Sequence, residues 1–205
     1  MKIPVFAVGS GKSILWFGIF LLCLHVLKLT TATSSAIIQY IIPLRDARSA
    51  SLAYFYFDFR DVEKKHRRHL LSSLLIQLSS MSKPRLDILS LLYSPYKTCK
   101  EQPGEQALVQ CLKDMLMISS LAQHPTYIIL DALDECPNTP GFPAPRGQVL
   151  GLVKDLVDLH LPNLHICITS RPEADIRTPL EPLTSCHLSL HDQPGQQKDI
   201  AEYIS

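Results

Sequence analysis

The chain of 205 residues has almost no net charge, +1 at neutral pH. That balance gives no whole-protein bias toward nucleic acid or anionic membranes, so no nucleic-acid partner is expected. It also lacks paired cysteines. Cys23, Cys99, Cys111, Cys136, Cys167 and Cys186 are scattered with no C-x-x-C spacing, which fits reduced thiols in a cytosolic protein better than a disulfide framework or a zinc site. The length suits one well-buried α/β domain.

Tyr127-Ile-Ile-Leu-Asp-Ala-Leu-Asp-Glu135 is an apolar strand ending in three closely spaced carboxylates, Asp131, Asp134 and Glu135. A P-loop NTPase presents Mg²⁺ and water to a nucleotide in this way, which implies ATP or GTP. The natural partner is Gly9-Ser10-Gly11-Lys12-Ser13. It ends like the phosphate loop G-x-x-x-x-G-K-[ST], in which backbone N–H groups and a lysine take phosphate oxygens and a hydroxyl takes Mg²⁺. The full spacing needs a glycine where Phe6 stands.

Ile14 to Leu29 is a nearly unbroken apolar run that follows Lys2 and Lys12. Three readings stand side by side: a signal peptide or membrane anchor, a fully buried helix, or an insertion foreign to the domain. Deleting residues 16–33 joins GSGKSIL to SSAIIQYI, a phosphate loop followed by an amphipathic helix that ends before Pro43. The insertion reading extends to the start MKIPVF, which stands where a first strand and its glycine belong. The expected location is cytoplasmic, with a membrane as the alternative.

Further on, residues 52–59 read as an aromatic-rich strand, and 62–80 as a helix opening with the basic cluster Lys64–His69. So short a cluster reads as a solvated turn or a packing surface for an acidic neighbour. Helices are predicted over 84–92, 104–119 and 148–160, and strands over 164–169 and 186–190, with a last helix from Asp199 to Ser205. The methionines are assigned to the core. The proline-rich stretch 136–147 is predicted to be exposed loop. Strands alternating with helices imply a parallel sheet covered on both faces, with Lys12, Asp131, Asp134, Glu135 and Arg171 gathered at one edge.

GSGKS at 9–13, AYFYFDFRDVEKKHRRHLLSSLLIQL at 53–78, YIILDALDEC at 127–136 and ICITSRPE at 166–173 together resemble the NACHT group of P-loop NTPases. Within it the chain is most similar to the nephrocystin 3-like N-terminal domain of fungal NOD-like receptors. The resemblance implies a three-layer αβα P-loop NTPase fold, truncated at both ends because the helical and winged-helix segments are missing. It implies that Gly9, Ser10, Gly11, Lys12 and Ser13 bind ATP or ADP, that Ser13 and Asp131 hold Mg²⁺, that Asp134 or Glu135 handles the attacking water, and that Arg171 senses γ-phosphate. It further implies a nucleotide switch with weak ATPase activity, whose self-oligomerisation and effector proteins depend on regions outside this chain. On the residues alone, Arg171 reads equally as a surface partner of Glu173, and Asp134 and Glu135 as helix caps. Two other readings remain: a degenerate module that no longer binds nucleotide, and a protein anchored in a membrane through residues 14–29.

Overall fold

A computed structural model describes residues 4–8, 33–60, 67–97, 101–121, 124–139 and 144–189. Among them the chain forms β1 (Pro4–Val8), α1 (Thr33–Asp46), β2 (Ser51–Tyr56), α2 (Arg67–Ser79), α3 (Lys83–Tyr93), α4 (Glu105–Leu121), β3 (Thr126–Asp131), α5 (Pro145–Val157), β4 (Leu164–Thr169), α6 (Ala174–Leu180) and β5 (Thr184–Ser189). The glycine-rich segment 9–13, the apolar run 14–29, the basic residues 64–66 and the last helix expected from sequence lie outside the described residues.

The five strands form one sheet in the order β2-β3-β4-β1-β5. β2, β3 and β4 are parallel, with Tyr56 opposite Asp131 and Leu130 opposite Ile168. Because these strands succeed one another in a single direction across the sheet, right-handed crossovers put their connecting helices on one face. Strand periodicity divides the side chains accordingly. Ala53, Phe55, Ile128, Leu130, Ile166 and Ile168 enter the large core shared with α2, α4 and α5, whereas Leu52, Ile129 and Cys167 pack on Ile37, Ile38 and Ile41 of α1. The result is an α/β fold compatible with three αβα layers.

β1 departs from the expected parallel sheet. It runs antiparallel to both β4 and β5, with Val5 opposite Thr169 and Val8 opposite Ile166. Apolar patterning specifies a strand but not its direction, which depends on the connection. Here residues 9–32 separate β1 from α1, far more than the short loop that forces a βα unit to run parallel.

Two helix limits also depart from those expected, each at a proline. α1 continues through Pro43 to Asp46, where the sequence predicts a stop. A proline removes one N–H bond to the carbonyl four residues back. Pro43 is exposed, the helical bonding resumes with Ala47 N–H to Pro43 O at 3.0 Å, and the buried Ile37, Ile38 and Ile41 anchor the helix. α5 begins at Pro145 and not at residue 148, so the proline-rich loop is shorter than predicted. Pro145 occupies the first turn, where its fixed φ and missing N–H carry no penalty.

Leu108, Leu112, Met115 and Leu116 form the buried stripe of α4, while Met117 of the same helix is 46% exposed, so not every methionine is core. The helical part of the basic cluster packs on the start of α4: Arg67 Nε lies 3.7 Å from Glu105, and Arg68 donates to Pro103 O and Gln102 Oε1, each at 2.8 Å. No helix among the described residues is long and apolar enough to cross a membrane.

Candidate functional site

Parallel pairing brings the ends of β3 and β4 side by side. The Thr169 hydroxyl donates to Asp131 Oδ1 and accepts the Ala132 N–H at 3.0 Å, tying the first carboxylate to the adjacent strand. Ala132 then adopts a left-handed conformation (φ 56°, ψ 48°), unusual for a residue with a Cβ. It turns the chain into the 3₁₀ turn Leu133–Glu135, which the fully buried Leu133 anchors to the core.

The turn sends its two carboxylates in different directions. Asp134, whose side chain is 7% exposed, accepts the Arg171 N–H on Oδ1 at 3.0 Å and meets Arg171 Nε with Oδ2 at 3.1 Å. Glu135 Oε2 accepts the N–H of Phe59, in the segment after β2, at 3.3 Å. Asp131, Asp134, Glu135 and Arg171 therefore share the carboxyl edge of β3 and β4. Arg171 pairs with Asp134 and not with its sequence neighbour Glu173, and its guanidinium stays half exposed.

The first turn of α1 reaches the same edge. Ser35 hydrogen-bonds the Tyr56 hydroxyl at the end of β2; burial raises the pKa of that phenol, as does the nearby charge of Asp131, against the lowering effect of Ser35. The start of the helix that follows residues 9–13 in sequence thus stands beside Asp131. Val8, which immediately precedes those residues, pairs near the opposite end of β4.

Arg146 escaped the sequence reading. Its side chain is buried, with Nε donating to Cys136 O at 2.9 Å, Nη2 to Asp134 O at 2.6 Å, and Nη1 to Asp175 at 2.9 Å and to the Glu173 carboxylate. Burial opposes the charge, but the hydrogen bonds to Glu173 and Asp175 outweigh it and hold the guanidinium above its ordinary pKa. One side chain thereby fastens the turn after β3 to the segment after β4. The available signal was slight: Arg146 is the sole charged residue of the proline-rich stretch 136–147.

The neighbouring thiols are buried. Burial pushes Cys136 up to about 11 and Cys167 up to about 12, the latter with help from the Asp131 charge, so neither is a nucleophile near neutral pH. Among the described residues no three His, Cys, Asp or Glu side chains converge to hold a metal. The edge does suit Mg²⁺, which takes one or two carboxylates and completes its shell with water and phosphate oxygens. Asp131 offers such a carboxylate, with a hydrogen bond from Thr169 on one oxygen.

No curated protein and no solved structure gives a significant match to the chain. A family model described as nephrocystin 3, N-terminal, matches residues 30–171, from just before α1 to the arginine that pairs with Asp134. That span is more than half of the 205 residues, and the chain belongs to the nephrocystin 3 N-terminal family.

Proposed function

We propose that the chain is a nucleotide-binding domain of the NACHT type, a P-loop NTPase that works as an ATP/ADP switch. The observation that carries this reading is the sharing of one sheet edge by the first turn of α1, the Asp131–Thr169 pair and the Asp134–Arg171 pair. A phosphate at that edge would lie beside Ser35 of α1. Asp131 and Ser13 would hold Mg²⁺, which neutralises charge on the β- and γ-phosphate oxygens. Lys12 serves the same phosphates. Glu135 or Asp134 would orient the attacking water. The half-exposed Arg171 would be the residue to meet γ-phosphate, and a change of its partner from Asp134 to that phosphate would supply the differential contact a switch requires.

The test is Mg²⁺-dependent binding of ATP and ADP by titration calorimetry. Wild type is expected to bind, Lys12→Ala to lose binding, and Asp131→Ala to lose the Mg²⁺ dependence. Absence of binding in the wild type sinks the proposal and leaves a second reading, a module of the same fold that no longer takes nucleotide. The antiparallel β1 favours that alternative, because Val8 carries the chain toward the end of β4 away from Asp131.

A further inference from the structure

Among the described residues β2 is an edge strand of the sheet, paired on one side with β3. Ser51 and Phe57 donate toward β3, to the carbonyls of Pro125 and Asp131. Odd residues therefore face β3, and the N–H and C=O groups of Leu52, Tyr54 and Tyr56 face outward. Such a row is a template for another strand. The segment invites one, since LAYFYF is aromatic-rich, uncharged and free of proline, and Tyr56 (37%) and the nearby Ile76 (64%) are exposed. A groove of about 310 Å³ runs along this edge, lined by Arg45, Leu52, Tyr54, Tyr56, Ser73 and Gln77 among others.

The middle residue of the row is already engaged. Tyr54 N–H donates to Gln77 Oε1 at 3.1 Å, and Gln77 Nε2 donates to Tyr54 O at 2.8 Å. A primary amide is the one neutral side-chain group that offers a donor and an acceptor side by side, as a peptide group does. Its orientation is set from behind, because Nε2 also donates to Ser73 Oγ at 3.0 Å and Ser73 O at 3.3 Å, one helical turn back on α2. A flipped amide would set N–H against N–H at Tyr54.

We propose that Gln77 is an edge lock, whose amide occupies the place of a neighbouring strand at the centre of β2 and keeps β2 from pairing with β2 of a second copy of the chain. The second copy is the relevant partner because antiparallel pairing about Tyr54 is self-complementary, so one two-fold contact satisfies both edges.

Gln77→Leu keeps volume and helix propensity while removing both polar atoms. In the full chain its Tyr54 amide is expected to exchange about tenfold faster at low concentration. Sedimentation is expected to show self-association beyond that of the wild type, and the Tyr54 amide to regain protection as the associated species forms. Unchanged exchange overturns the proposal, and so does faster exchange with wild-type sedimentation at every concentration. Should Q77L not fold, the wild type still decides by NMR: slowly exchanging Gln77 side-chain protons are expected, and free solvent exchange at that amide overturns the lock.

Discussion

Arg146→Ala removes the cation that joins the turn after β3 to the segment after β4. Two of its acceptors are main-chain carbonyls, Asp134 O and Cys136 O, and two are the carboxylates of Glu173 and Asp175. Deleting one partner of a buried charged pair costs about 3–5 kcal/mol. The Glu173 and Asp175 side chains are 40% and 39% exposed, so water recovers part of that loss and the lower end applies, about 3 kcal/mol. Against a total of roughly 5–15 kcal/mol the variant still folds. Urea unfolding followed by far-UV circular dichroism should show the midpoint falling by about 1–1.5 M with an unchanged slope. Arg146→Lys keeps the charge, but one ammonium cannot reach carbonyls and carboxylates on both sides, so it should recover less than half of the loss. Amide exchange should localise the damage to the Arg171 N–H, which rests on the Asp134 carboxylate. A loss below about 1 kcal/mol in R146A, or full recovery by lysine, would refute the assignment of Arg146 as the tie between the two segments.

Two further outcomes are expected. His165 is buried, stacks on Tyr127 at 4.9 Å and 20°, and is driven down to about 4 by desolvation. The folded chain thus resists a proton that the unfolded chain accepts near pH 6.5; the stability is fully present above pH 6.5 and declines as pH falls toward 4, by about 3 kcal/mol in all. Urea midpoints between pH 4 and 7 should show that His165→Phe loses this limb relative to wild type, and parallel curves for the two proteins would contradict it. Pro43→Ala restores the missing bond to the Gln39 carbonyl inside α1, at an exposed position. A gain of about 1–3 kcal/mol in thermal unfolding is expected, and no gain would mean that packing of α1 depends on the proline.

Much of the sheet was legible because its strands are apolar runs bounded by charge or turn residues. Leu164–Thr169 was predicted with both limits correct, and β2 and β3 within a few residues. The helices that carry leucine stripes were equally visible, since burial on one face imposes the 3.6-residue period. The polar ties were not. Arg146 and Gln77 take main-chain carbonyls and amides as partners, groups every residue carries, so composition holds no trace of the pairing. Arg171 has an obvious neighbour in Glu173, yet the Ala132 turn delivers Asp134 to it from the adjacent strand. Arg85 is similar: buried, it donates to the hydroxyls of Ser51 and Ser119 at the opposite end of the sheet.

The direction of β1 links the fold to both functional readings. Val8 pairs with Ile166, three residues before Thr169, so it lies about 10 Å below the carboxylate edge. Lys12 follows four residues later, a span of at most about 14 Å when fully extended. A parallel β1 would release Gly9 at the edge where Ser35 of α1 already stands. With β1 antiparallel, Lys12-dependent nucleotide binding requires residues 9–12 to span that distance to the edge. A chain that binds no nucleotide uses the Asp131–Thr169 and Asp134–Arg171 pairs as structural ties alone.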